Sequence, residues 1–265
     1  MAAIVEAFRS NDCRPVGSPD GSAGPELLRP LVSALDQDCP IQMHGYSWRP
    51  EHWREAFTAG WTRPNLPEVL AAIDQVAQLT APDERGFHPI QRRHLYDLAC
   101  GDPVLLLIAT IAWGHRPGRG MAWYQALNAL EKSWKEDDTL DTARDALAAF
   151  RDLARGGDPE AVAAAWTGKP LIPHLGPAYA TKYAHFGSYA VEDASIRPLI
   201  ADQWVAWSLW ALADEWDVRR SGKRYCWYVE TADRWASDLA CGSDEVERAL
   251  FWLGGAIKKA YEGTR

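Results

Sequence analysis

The chain has 265 residues, 47% of them hydrophobic, and a formal net charge of −8. That length and apolar content suffice for a sizeable core in one large domain or two small lobes. The acidic balance argues against a protein that coats nucleic acid indiscriminately, because such binding rests on excess Lys and Arg, although it leaves room for a local basic face.

In chain order, Met1 to Ser10 is broken by Glu6 and Arg9, so it lacks the apolar stretch of a signal peptide and no export is expected. Residues 10–30 are rich in Gly, Pro and Ser and read as an irregular arm within an N-terminal extension spanning 1–60. An all-helical core is expected over 61–265. Its first helix follows Asn65, with Pro67 near the start, Val69, Leu70, Ile73, Val76 and Ala77 at helical spacing, and an end before Pro82. Asp102-Pro103 then supplies a cap and a first-turn proline for an apolar run that closes on Trp113 and Gly114. This run is about half of the roughly 20 residues that a bilayer crossing needs, so it reads as a buried helix and no membrane partner is expected.

The same punctuation recurs at Asp158-Pro159, which opens a helix over 160–167 closed by Gly168 and Pro170. Further helices are expected over Ala178 to Phe186, Pro198 to Asp217, Val229 to Ala240, and Asp244 to Tyr261 with Ser243 as its cap. Convincing alternating strands are absent, and the fold class is all-α. The 14 tryptophans stand largely at helical spacing, as with Trp204, Trp207 and Trp210, a pattern that suits either core packing or the walls of a pocket. Basic residues cluster at Arg92-Arg93, at Arg116 and Arg119, and across Arg219, Arg220, Lys223 and Arg224, as solvated surface or as a DNA-facing patch.

The five cysteines show no C-x-x-C spacing and the seven histidines no ligand pair, which argues against a disulfide framework, a zinc knuckle or a catalytic transition metal. Reduced thiols fit a cytoplasmic protein. Phosphate-binding G-x-x-x-x-G-K-[ST], dinucleotide-binding G-x-G-x-x-G and hydrolase G-x-S-x-G motifs are all missing. Two charges stand out instead. Read as helix, Lys182 is flanked by Ala178, Tyr179, His185 and Phe186, and Asp202 by Pro198, Leu199, Val205 and Ala206, so each lies on an inward face. An amine buried without a counter-ion gives up its proton more readily and becomes a nucleophile at neutral pH; the same placement also suits a structural ion pair between two helices.

The segment before Lys182, Gly168-Lys169-Pro170-Leu171-Ile172-Pro173-His174-Leu175-Gly176-Pro177, joins two helices through a short turn with Gly at its tip. Such a turn either simply links the helices or offers backbone N–H groups and a helix N-terminus to a phosphate. Leu175-Gly176-Pro177-Ala178-Tyr179-Ala180-Thr181-Lys182-Tyr183, followed by Pro198-Leu199-Ile200-Ala201-Asp202, resembles the signature of helix-hairpin-helix DNA glycosylases. Within that superfamily the chain is similar to the 8-oxoguanine glycosylase-fold group, especially its all-helical archaeal and bacterial branch, over roughly residues 95–255. The lysine falls one helical turn later than in eukaryotic-type members, and the loop before Asp202 lacks their usual Gly-Pro or Val-Pro spacing, since Pro198 stands four residues ahead.

The resemblance implies two helical lobes with a cleft between them, a hairpin over about 159–187, and excision of a damaged or modified base, such as 8-oxoguanine, flipped out of double-stranded DNA. It implies Lys182 as nucleophile and Asp202 as its catalytic partner, with AP-lyase activity possible through the lysine. Phe186 would stack on the base, with Trp113 and Trp252 as further walls. Lys169, His174, Leu175, Gly176 and Ala178 would grip the DNA backbone, where hairpin carbonyls can hold a structural cation. No other cofactor is expected, and a monomer is. Two other readings fit the same residues: an anti-phage glycosylase removing a hypermodified base such as glucosylated hydroxymethylcytosine, and a non-catalytic helix-hairpin-helix module that binds DNA.

Overall fold

The computed structural model describes residues 1–11, 14–38, 40–114, 122–132, 140–168, 170–189, 196–215 and 218–263. Among them the architecture is helical: α1 (Ala2–Ser10), α2 (Gly24–Asp38), α3 (Pro50–Gly60), α4 (Leu66–Ala77), α5 (Arg92–Leu98), α6 (Pro103–Trp113), α7 (Ala122–Leu127), α8 (Leu140–Arg155), α9 (Pro159–Ala164), α10 (Pro177–Ser188), α11 (Gln203–Ala213), α12 (Gly222–Leu239) and α13 (Ser243–Glu262). A wide π turn over Asn128–Lys132 extends α7. One two-stranded antiparallel sheet pairs β1 (Gly45–Trp48) with β2 (His88–Gln91), with Gly45 opposite Gln91 and Trp48 opposite His88. At four residues each, these strands are too short to show alternation in the sequence. No helix among the described residues is long and apolar enough to cross a membrane.

The centre is α6. Asp102 accepts the Val104 N–H at 2.7 Å, Pro103 takes the first helical position and Gly114 ends the helix. From Val104 to Trp113 every side chain except Leu105 is buried. A helix apolar on all sides is stable only when surrounded, and α4, α5, α8 and α10 pack around this one. The expectation of an irregular arm over 10–30 needs correction at its end, because α2 already begins at Gly24 and buries Leu28, Leu31 and Val32. Before it, Val16 and Gly17 donate to the Ala211 carbonyl at 2.8 and 3.3 Å, which ties the segment to the end of α11.

Further boundaries differ from the sequence reading: the helix expected from Val229 already begins at Gly222, and the one expected to reach Asp217 ends at Ala213. The helix expected from Pro198 begins only at Gln203, and Asp202 is its N-cap rather than an interior residue. In α13 the cap position is Gly242, whose N–H donates to Glu245 Oε2 at 2.7 Å, and Ser243 is already helical. Helix α13 crosses α11 so closely that a Cβ on Gly254 would stand 1.8 Å from the Trp204 carbonyl oxygen. Only glycine permits that approach, and it brings the middle of α13 beside the start of α11.

Candidate active site

Lys182 lies in the middle of α10, a helix opened by Gly176 in an extended cap conformation and Pro177 at its first position. All residues from Ala180 to Ser188 are buried, so the lysine is carried into the interior by its neighbours. Its Nζ stands 3.3 Å from Asp202 Oδ2, and the two side chains are 7% and 9% exposed. The amine is therefore paired, which corrects the picture of a lysine buried without a counter-ion. The remaining walls around it are the Tyr179 ring, with its centroid 5.7 Å from Nζ, and Gly114, where a Cβ would lie 3.1 Å from Lys182 Cδ.

Asp202 is held more strictly than its partner. Oδ1 accepts the backbone N–H groups of Trp204 at 2.9 Å and Val205 at 3.2 Å, the usual work of an N-cap. That leaves Oδ2 to face the amine. The preceding residues Leu199, Ile200 and Ala201 are buried without regular structure, so their backbone groups need side-chain partners. The Tyr225 hydroxyl donates to the Leu199 carbonyl at 3.0 Å and accepts its N–H at 3.2 Å, while the Tyr228 hydroxyl donates to Ile200 O at 3.1 Å. Thr181 Oγ1 accepts from Ala201 N at 3.0 Å and donates to Pro177 O at 2.8 Å. His185 Nδ1 lies 2.9 Å from the Pro198 carbonyl. Four consecutive residues ahead of the carboxylate are thus clamped through their main chain, two of the clamps coming from the lysine's own helix.

Behind this pair lies a second one. Arg92 Nη2 donates to Glu247 Oε2 at 2.5 Å with both side chains essentially inaccessible, and Arg92 Nη1 donates to His185 Nε2 at 3.4 Å. Burial pushes the His185 imidazole down to about 3, and the Arg92 charge adds to that shift. The ring is therefore neutral at ordinary pH, with Nδ1–H directed at Pro198 and Nε2 accepting from Arg92. Burial pushes the Glu247 carboxyl up while Arg92 opposes the shift; the charges of Asp202 and Lys182 also reach it, in opposite directions. The site is thus one buried electrostatic group shared by α5, α10, α11 and α13.

The structure distributes the other expected site residues unevenly. Phe186 is fully buried against Trp113, ring centroids 5.1 Å apart, and also touches Tyr96 and His185. Trp113, itself buried, meets His44 at 5.5 Å, and His44 meets Trp252 at 6.1 Å. Only Trp252 of the three is exposed, at 42%. At the hairpin, His174 is exposed with a positive φ of 59°, Leu175 is buried, Gly176 is exposed and Ala178 is half-buried. A Cβ at Gly176 would meet nothing within 4 Å, so the space beside its backbone is open. Lys169, Arg116 and Arg119 lie outside the described residues.

Sequence reasoning missed most of the supporting cast. Arg92, grouped with Arg93 as basic surface, is wholly buried; Arg220, Lys223 and Arg224 are exposed as expected of a basic patch. Glu247, Thr181, Tyr225 and Tyr228 carried only the weak signal of polar atoms on inward helix faces. Among the described residues no group of three His, Cys, Asp or Glu is placed to hold a metal ion. The family model described as "Putative 8-oxoguanine DNA glycosylase OGG-like protein" matches residues 40–251. No curated protein and no solved structure matches the chain.

Proposed function

Because the chain belongs to the family of OGG-like 8-oxoguanine DNA glycosylases, we propose that it flips a damaged or modified base, such as 8-oxoguanine, out of double-stranded DNA and excises it with Lys182 as nucleophile and Asp202 as its partner. The carrying observation is the 3.3 Å approach of Lys182 Nζ to Asp202 Oδ2, with the other carboxylate oxygen committed to two backbone N–H groups. A fixed carboxylate beside a sheltered amine is an acceptor for the ammonium proton. The neutral amine then forms a bond to C1′ as the bond from C1′ to the base breaks, and the base leaves with its electron pair and takes up a proton. The nitrogen then loses a proton and its electron pair expels O4′, which takes up a proton, giving an iminium between Lys182 and C1′; removal of a C2′ proton by a base forms the C2′–C3′ double bond as the 3′-phosphate leaves with the C3′–O electron pair, which cleaves the strand.

On this reading the phosphate backbone seats at the N-terminus of α10, where Gly176 leaves room for close approach and His174 and Ala178 flank the contact. Trp252 offers an exposed ring to the extruded base, with His44 against it and Trp113 and Phe186 following in turn beyond His44. Lys169 would add a charge at the turn. The test is borohydride trapping on a panel of duplexes carrying single modified bases. The wild type is expected to give a covalent adduct and free base with at least one member, and Lys182→Gln neither. A non-catalytic module would use the same ion pair as a tie between α10 and α11; base release by neither protein, with equal DNA binding by both, would favour that reading and remove the enzymatic one.

A further inference from the structure

Thr181 precedes Lys182 on α10, Ala201 precedes Asp202 ahead of α11, and one hydroxyl joins the two segments. Thr181 Oγ1 stands 3.0 Å from Ala201 N and 2.8 Å from the Pro177 carbonyl oxygen, with the Ala178 carbonyl oxygen at 3.4 Å. We propose that Thr181 is a positioning residue for base excision: through Ala201 it sets the Asp202 carboxylate at its working distance from the Lys182 amine. The inference rests on the proposed roles of Lys182 and Asp202.

The direction of each bond follows from the groups involved. The Ala201 N–H can only donate, so the hydroxyl accepts there and sends its one proton to a carbonyl in the first turn of α10. One end of the link is thereby fixed to the helix of the lysine and the other to the loop of the aspartate. Thr181 and Ala201 are both 0% exposed, so bulk water supplies neither bond if the hydroxyl is removed. The other contacts to this loop act further back, with His185 against Pro198, Tyr225 on Leu199 and Tyr228 on Ile200. Both tyrosines also reach in from α12, which carries neither of the proposed reactive groups. Thr181 alone among these residues acts on the immediate neighbour of Asp202 and is itself the immediate neighbour of Lys182. Consecutive Cα atoms are about 3.8 Å apart, and a shift of Ala201 passes to Asp202 with no residue between them to absorb it. Because Oδ1 is bound to the main chain of Trp204 and Val205, such a shift is felt at Oδ2, the oxygen that faces the amine.

The experiment is single-turnover excision with the enzyme in saturating excess, so that the rate reports the chemical step and not binding. Thr181→Val keeps the shape of the side chain and removes both bonds, whereas Thr181→Ser keeps the hydroxyl. The valine variant is expected to be slower by about 10- to 100-fold, the scale set by misplacing a reacting group by up to an ångström, while its DNA affinity stays within about twofold of the wild type. Serine is expected to restore the rate to within about threefold, and Thr181→Ala, which lacks the same two bonds, to behave as valine does. In an Asp202→Asn background, measured where every variant is folded, valine is expected to cost less than about threefold, because a residue that acts through another loses its effect once that partner is disabled. Unaltered rates in the folded valine and alanine variants, equal slowing in both backgrounds, or a serine variant as slow as valine would overturn the positioning role and leave the proposed function standing. A wild type that releases no base from any duplex of the panel would overturn the proposed function and this role with it.

Discussion

Two buried ion pairs among the described residues, Arg92–Glu247 between α5 and α13 and Lys182–Asp202 between α10 and the cap of α11, are built to different specifications. Arg92 and Glu247 meet at 2.5 Å with side chains 0% and 1% exposed, and the arginine is further occupied by His185 and the Trp113 ring. Lys182 and Asp202 meet at 3.3 Å, are 7% and 9% exposed, and among the described residues the amine has no second hydrogen-bond acceptor. A guanidinium that cannot lose its proton suits a permanent tie, whereas an ammonium on a flexible stem suits a group that must give a proton up. The first pair fixes the floor of the site. The second is held firmly on the carboxylate side and loosely on the amine side, an arrangement that suits the proposed roles of Lys182 as nucleophile and Asp202 as its proton acceptor.

The comparison breaks most visibly at Asp202. Asn caps a helix about as well as Asp, so Asp202→Asn keeps the bonds to Trp204 and Val205 and removes only the charge. Base-excision turnover, measured where the variant is fully folded, is expected to fall by about 10²–10⁴-fold, the usual scale for a positioned acid or base, and the melting temperature falls as well because Lys182 is left buried without its counter-charge. A destabilised variant with full activity would reduce the second pair to a structural tie like the first. A loss of stability alone is expected for Arg92→Met, which leaves Glu247 buried without its counter-charge. Such a loss costs about 3–5 kcal/mol, and replacing both partners by apolar residues restores most of it. Urea denaturation of the single and double variants measures both values.

Local chemistry was legible in the sequence where it was punctuated. Asp102-Pro103 and Gly114 bound α6 as expected, and Lys182 falls on the inward face of α10 with Tyr179 and His185 beside it. Asp202 shows how the reading failed: Pro198 looked like a helix start, yet the aspartate just ahead of an apolar helical run is itself the cap signal. What lies between Pro198 and Asp202 is governed by Thr181, His185, Tyr225 and Tyr228 reaching its main chain, and side chain to backbone bonds between distant segments leave no periodic trace. The Arg92–Glu247 contact joins residues 155 positions apart, so a neighbouring Arg93 on the surface made Arg92 look solvated too.

His185 sharpens the comparison through pH, because it belongs to the tie and also clamps the loop of the reactive pair. Its folded value of about 3 lies below the ordinary 6.5, so the unfolded chain takes up a proton that the native state refuses. The stability this neutral ring supplies is complete above pH 6.5 and is lost as pH falls toward 3. From pH 6.5 to 5 the loss is about 2 kcal/mol, one proton over that interval. His185→Gln lacks this component, and the gap in unfolding free energy between wild type and variant is expected to narrow by that amount over the interval. A constant gap would mean that the ring is protonated in the folded protein and that Arg92 is placed differently from the description above.

The smallest effect separates position from stability altogether. Gly114 closes α6 at φ −72°, a conformation open to any residue, and a Cβ there would press on Lys182 Cδ and Tyr179 Cε1, both at 3.1 Å. Gly114→Ala therefore reduces the freedom of the unfolded chain, a gain of about 0.4–1 kcal/mol, and sets against it a contact that flexible side chains relieve by moving a few tenths of an ångström. Stability should hold or rise slightly. The side chain that moves is the one whose distance to Asp202 matters, and misplacement on that scale is expected to slow turnover by about three- to tenfold. The three atoms nearest the added methyl belong to Lys182, Tyr179 and Thr110 and none to Arg92 or Glu247, so the change bears first on the proposed reactive pair. Single-turnover excision beside thermal melting measures both quantities, and an alanine variant with unaltered turnover would show that the Lys182 stem has slack the packing around Gly114 does not suggest.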